Sequence, residues 1–517
     1  MYSASIFATT VSDHEVQIFY EADGIDPAIG PRLRLAALAG DSDLGIPHDQ
    51  KAVLTGRYRD EWIWTRASKL DEGQDFHPHI RDIVGGRRQR LATFWMLDDV
   101  ARRFMRSASL HGKDRDTPYV RKRLALAFSK AARRRLSARA IDTEHVIVTI
   151  EAIRLALFDT RHGFAMATIG FSRPNGDKIT AIELLEAQVA ITRFGDVRWV
   201  EAATLEPVAG DPFALGGLVR RLALGDLTRA SRSSRVVTYT YARFETPLTV
   251  PERDFFANHL ARRYSTDYMV SPDIQGIAVV GDFETVRHAV AAEGAATIVG
   301  PTDGHPRVSA FLEHYKTATF RRHYVPIALL ALHEHAFLIE RTSSSVVPET
   351  ELKELLKIQK DSVFFRLCYS FSEVSYITMH NAFNRAFRQV LNLDRMHDKL
   401  TSDLAEVGAH LRTMKEAEER RLEQDRHRRF YWVSVVGGSA LAGLTSFTIT
   451  KEIIGALALH DAELARWAGA GVALVVTAAA AIVGHLKGPG RHEHEQGDDL
   501  KVEDMLDRIQ VIKEGIK

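Results

Sequence analysis

Two uncharged segments late in the chain constrain its fold more than any other feature. Phe430 to Thr450 carries no charged side chain, and Trp467 to Leu486 carries only His485 among titratable groups. Each reaches the roughly 20 residues that a helix needs to cross a hydrocarbon layer about 30 Å thick. The expectation is a membrane hairpin beneath a large polar domain, with spans at 430–455 and 467–486 joined by an external loop at 456–466. Arg420, Arg421, Arg426, Arg428 and Arg429 precede the first segment and Lys487 and Arg491 follow the second, while Lys451 and Arg466 are the cations between them. Positive charge marks the cytoplasmic side, so both termini are expected there. Met1 to Val11 has neither the basic start nor the apolar stretch of a signal peptide. Tyr431, Trp432 and Trp467 fall where aromatic rings favour an interface. The alternative is that both segments are core helices of a protein without a membrane span.

The chain has 517 residues and a formal net charge of +1, which leaves room for two or three domains and argues against a general binder of nucleic-acid duplexes. A single cysteine, Cys368, excludes an intrachain disulfide framework and a multi-cysteine metal site; its place between Leu367 and Tyr369 suits a small buried hydrophobe.

From residue 1 to 347 the pattern mixes strands and helices and predicts an α+β or α/β domain. Val16 to Tyr20, His145 to Thr149, Ala165 to Phe171, Arg235 to Tyr241 and Ile277 to Val280 read as strands. Arg88 to Ser107, Tyr119 to Leu136, Ile182 to Ala190 and Glu252 to Arg263 read as helices. After Pro348 the expectation is almost unbroken helix through 429. Leu352, Leu355, Leu356, Val363, Leu367, Phe371, Val374 and Ile377 give one apolar stripe. Leu393, Met396, Leu400, Leu404, Val407, Leu411 and Met414 give a second, continuing to Leu422. Steps of three and four suit a straight helix that needs partners, first from its own domain and then from identical chains.

A domain of this kind, a long stalk helix running into a first membrane helix, a short loop and a second membrane helix together resemble the CorA-type metal-ion channel family. The resemblance is clearest from Pro348 to Leu486. It implies a homo-oligomer of five chains in a bacterial inner membrane, multi-pass, with a cytoplasmic gating domain. Family members carry Gly-Met-Asn at the end of the first membrane helix and Pro-Glu-Leu shortly after. Here Gly455-Ala456-Leu457 precedes Ala462-Glu463-Leu464, so Gly455, Ala456, Leu457 and Glu463 fall at the expected pore mouth. Leu457 replaces an amide that would hold a hydrated divalent cation, so selectivity for magnesium is not expected, although a divalent cation remains a possible cargo.

Ser434, Gly438, Leu441, Thr445, Thr448 and Glu452 share one helix face. They either line a pore or simply permit close helix packing. Arg121, Lys122, Arg123, Arg133, Arg134, Arg135 and Arg139 form a basic cluster on an expected helix, where Arg133, Arg134 and Arg135 either hold an anionic small-molecule ligand or form a solvated face. Arg220, Arg221, Arg229, Arg232 and Arg235 form a second such set.

Phosphate-loop, nucleophile-elbow and His-Glu-x-x-His motifs are absent, and no catalytic residue is assigned. His333-Glu334-His335 and His492-Glu493-His494 would suit a metal only on a strand with a third ligand. The final stretch, 487–517, holds an expected amphipathic helix from Asp498 to Lys517 that packs on the stalk or a neighbouring chain. The functional expectations are an oligomeric CorA-like channel, a nucleotide-messenger-gated effector of antiviral defence within that class, a non-conducting anchored binding module, and a tethered enzyme.

Overall fold

Residues 8–23, 64–67, 75–84, 92–97, 122–159, 162–193, 196–201, 204–207, 212–224, 235–268, 276–281, 283–301, 306–344, 352–456, 467, 470–472 and 474–479 are described by a computed structural model of the chain. They divide into two compact units, Met1–Leu404 and Ala405–Lys517.

The first unit is built on a 12-stranded sheet. At its centre β1 (Val11–Asp23) lies antiparallel to its neighbours, setting Ile18 against Ala167 of one strand and Thr238 of another. Side chains alternate along it. Val16, Ile18 and Tyr20 enter the main core, whereas Glu15 and Gln17 face the other side and are also fully buried. Helices therefore cover both faces, which explains strands with nearly continuous burial.

Twelve strands follow from a small number of pairings. β2 (Trp64–Ala67) joins β3 (Ala92–Leu97), and β3 and β4 (Lys122–Ala127) share one edge of the long β5 (His145–Phe158). β5 pairs with β6 (His162–Ser172), with a register shift between Ile150 and Ala152. The sheet continues from β4 through β7 (Asp196–Glu201) to β8 (Phe213–Ala214). On the other side of β1, β9 (Val236–Phe244) runs parallel to β12 (Gly294–Val299), which pairs with β11 (Val286–Ala291) and then β10 (Ile277–Gly281).

Among the described residues the first helices in chain order are α1 (Pro78–Val84), α2 (Lys130–Ser137), α3 (Ala181–Arg193), α4 (Leu215–Leu224) and α5 (Val250–Arg262). Ile182, Leu185, Phe256 and Leu260 of α3 and α5 fill the core against β1. Thr249 and Glu252 close a capping box at the start of α5, and Arg263 at φ 56° ends the helix.

The opposite face receives α6 (Pro306–Tyr315), a π-helix (Lys316–Tyr324), α7 (Val325–Ser344), α8 (Leu352–Tyr369) and α9 (Thr378–Val390). Nine residues of π-helix are unusual. This one carries Arg321 onto the sheet, where it pairs with Glu15 and, at 2.6 Å, with Glu151.

Several expectations are corrected here. Arg88 to Ser107 includes strand β3 rather than helix throughout, and Tyr119 to Leu136 divides into β4 and α2. The unbroken helix after Pro348 is interrupted after Tyr369 and again at Leu391 and Asn392, where Asn392 adopts φ 53°. The first stripe does not hold as one face: Val363 and Leu367 are 55% and 75% exposed and Val374 is buried, while Phe365 and Tyr369, outside the stripe, are buried. Aromatic partners set that choice, since Phe365 stacks on Phe337 at 3.8 Å. α8 and α9 thus belong to the sheet unit rather than to a separate stalk.

The helix that follows, α10 (Leu393–Ala456), runs for 64 residues and includes the first uncharged segment. No helix among the described residues is long and apolar enough to cross a membrane. This overturns the CorA-like stalk with a transmembrane hairpin, and with it the membrane-channel reading and the multi-pass inner-membrane placement with cytoplasmic termini. Freedom from charge is not the same as apolarity. Ser434, Gly437, Gly438, Ser439, Gly443, Thr445, Ser446, Thr448 and Thr450 dilute the segment. Of the second segment only 467, 470–472 and 474–479 are described, as helix. Leu457, Glu463, His492 to His494 and the 498–517 tail lie outside the described residues.

Candidate anion-binding groove

Ser129 opens α2 with extended backbone, and its Oγ accepts from the Ala132 amide at 3.2 Å. Ala132 and Leu136, one turn apart, anchor the inner face in the core. The chain then turns through Ala140, at φ 58°, and returns past Asp142 and Glu144 into β5. Between helix and return lies an open groove of roughly 660 Å³, bordered by Lys130, Arg133, Arg134, Ser137, Asp142 and Glu144 among others.

The basic triplet on α2 does not act as one set. Arg135 turns away from the groove and grips the buried Glu186 with two hydrogen bonds of 2.8 and 2.6 Å, and also reaches Asp267 at 2.8 Å. The hydrogen bond to Glu186 is the main reason its pKa is raised. Arg133 bonds Glu144 at 2.9 Å across a well-exposed pair, which contributes at most about 1 kcal/mol. Lys130 and Arg134 remain, four residues apart on an exposed face, with no carboxylate partner among the described residues. The expected cluster is also split, since Lys122 and Arg123 stand on β4.

Behind the groove, Glu183 is fully buried and accepts from Arg173, Thr143 and Thr180. Burial pushes its carboxyl up, but these hydrogen bonds outweigh burial and hold the pKa below the ordinary range. The Thr143 bond, 2.6 Å long, ties the return segment to α3.

A second polar constellation was not legible as a motif. Glu334 on α7 accepts from Ser370 at 2.6 Å, from Arg388 on α9 at 2.8 Å, and faces His397 on α10 at 2.8 Å. Arg388 reaches on to Asp394. Because His333-Glu334-His335 is helical, its histidines diverge. His333 stacks on Phe158 at 3.7 Å and His335 meets Arg235 at 2.5 Å. Among the described residues no group of three or more His, Cys, Asp or Glu is placed to hold a metal ion.

Nor does this polar chemistry assemble a nucleophile. Ser370 gives its hydroxyl to Glu334 rather than to a histidine. Ser375 does lie 3.0 Å from His380 Nδ1, but it is 1% exposed and donates to the Asp75 carbonyl at 2.6 Å. Burial pushes the His380 pKa down to about 3, too low for a general base near neutral pH.

The residues expected to line a pore lie along α10, and Ser434, Gly438, Leu441, Thr445, Thr448 and Glu452 are all exposed. Thr445 and Thr448 donate to the carbonyls of Leu441 and Leu444, at 3.0 and 2.9 Å, so their hydroxyls are engaged within the helix. Gly455 and Ala456 form its end. Of the second basic set, Arg235 also donates to the Ala292 carbonyl at 2.8 Å. No protein-family model matches the chain, and no curated protein matches it.

Proposed function

We propose that this chain is a non-enzymatic binding module: its sheet unit takes a small phosphate-bearing anion in the α2 groove, and helix α10 associates with other copies of the chain. The observation that carries the ligand half is the contrast within α2, where Arg133 and Arg135 have carboxylate partners while Lys130 and Arg134 border the groove without one among the described residues. Two cations one turn apart suit a phosphate, to which arginine contributes paired donors and lysine a point charge. Asp142 on the opposite rim suits a hydroxyl donor, so the ligand class is a nucleoside phosphate rather than phosphate alone. The association half is supported by exposed apolar side chains along α10, including Met414, Leu422, Phe430 and Val433.

Titration calorimetry of the full chain with inorganic phosphate, pyrophosphate and adenosine monophosphate tests the first half. The nucleotide should bind tightest, and Lys130→Gln with Arg134→Gln should weaken it by about tenfold or more, the scale of one charge-assisted hydrogen bond. Equal affinity in the double variant, or no binding of any probe at millimolar concentration, would remove the ligand reading.

A further inference from the structure

Unit 2 carries a row of aliphatic side chains at a fixed interval. Leu411, Leu422 and Val433 are 11 residues apart, three turns of a straight helix, and so fall within roughly 20° of one line. Leu411 is half-buried, whereas Leu422 and Val433 are 59% and 70% exposed. One turn to either side of Leu422 stand Glu418 and Arg426. Neither has an ion-pair partner among the described residues, although neighbouring Lys415–Glu419 and Glu416–Arg420 pair along the helix.

Charge is segregated about the same point. From 415 to 419 one lysine faces three glutamates, and from 425 to 429 three arginines face one aspartate. A parallel partner helix would set each block against its own sign. An antiparallel partner crossing at Leu422 sets acidic block against basic block, Glu418 against Arg426, and Leu411 against Val433, with Leu422 meeting itself on the two-fold axis. Like charges held opposite one another are unfavourable and opposite charges favourable, so the sequence selects the second arrangement.

We propose that this face of α10 joins two copies of the chain as an antiparallel, isologous helix pair centred on Leu422. The proposal rests on the self-association half of the function above and adds its direction and register. Lys415 and Arg429, also near the contact line, approach each other in this arrangement. Lys415 is drawn aside by Glu419 at 3.8 Å, and the net attraction of the two blocks remains.

The test uses the full chain with Cys368→Ser, carrying either Leu411→Cys or Val433→Cys. Mild oxidation of the mixed variants should give a 411–433 cross-linked dimer, while the Leu411→Cys variant alone should give none, because its two copies lie about 33 Å apart. Independently, Glu418→Arg should weaken dimerisation about tenfold, and adding Arg426→Glu should restore it, whereas in a parallel pair the single substitution changes nothing. A 411–411 cross-link, or a dimer with neither cross-link, overturns the antiparallel register but leaves self-association standing. A monomer at every concentration by native mass spectrometry overturns self-association itself and this inference with it, without touching the groove.

Discussion

The two units use charged side chains in opposite ways. In the sheet unit, Glu15, Glu183, Glu186 and Glu334 are at most 3% exposed, and each is met by an arginine at hydrogen-bonding distance. In the helical unit, Lys415–Glu419 and Glu416–Arg420 are well exposed and separated by 3.8 and 3.7 Å. A buried ion pair adds little net stability over an apolar replacement, but removing one partner strands a charge without water. An exposed pair is screened and replaced by solvent. Charge therefore locks geometry in the first unit and stays exposed to solvent in the second.

The largest test of that contrast is Glu334→Ala. It leaves Arg388 with the carboxylate of Asp394 and two longer hydrogen bonds, to the Phe371 carbonyl and the Ser370 hydroxyl, and removes the acceptor for Ser370, while His397 loses its carboxylate. A loss of about 3 to 5 kcal/mol in urea unfolding of the sheet unit is expected. A loss below 1 kcal/mol would mean that the constellation is not closed in solution.

Acid should separate the units next. Burial, above all, lowers the pKa of His288, His335 and His380 to about 3 in the folded state, against about 6.5 unfolded. Below pH 6.5 the unfolded chain binds more protons, so stability falls with falling pH until about pH 3. Between pH 7 and 5 each such histidine removes on the order of 2 kcal/mol. The sheet unit should lose its near-ultraviolet dichroism over this range, and His288→Phe should blunt the loss. A flat profile would mean that these histidines are hydrated.

The smallest effect belongs to the helical unit. Glu416→Gln, which removes one i,i+4 pair with Arg420, should change thermal stability by no more than about 0.5 kcal/mol, and less in 0.5 M salt. A larger change would show that this pair is covered, which the contact line through Leu411, Leu422 and Val433 does not require, because Glu416 lies about 120° around the helix from it.

Regions where local pattern and final environment agree were readable in advance. Val16–Tyr20 alternates between two buried faces, and Thr249–Glu252 opens a helix by its own capping chemistry. The segment from Arg88 to Ser107 misled because Ala92–Leu97 becomes a strand by pairing between β2 and β5, with Phe94 opposite Ala67 and Ala156. Arg133, Arg134 and Arg135 were visible as a triplet, but their division between groove and Glu186 follows from which face of α2 meets α3. Glu334, Ser370, Arg388 and His397 lie on separate segments with no spacing rule to join them.

By itself the sequence determined alternation, caps, the 11-residue row on α10 and the distribution of charge along it, because each depends on neighbours a few residues away. Only the tertiary structure decided that the first uncharged run continues a 64-residue helix, which arginine is occupied, and which histidines have their pKa lowered by burial. Those outcomes depend on burial and on partners brought from distant positions, and the free energy of a charge or an apolar side chain is set by what surrounds it rather than by what precedes it in the chain.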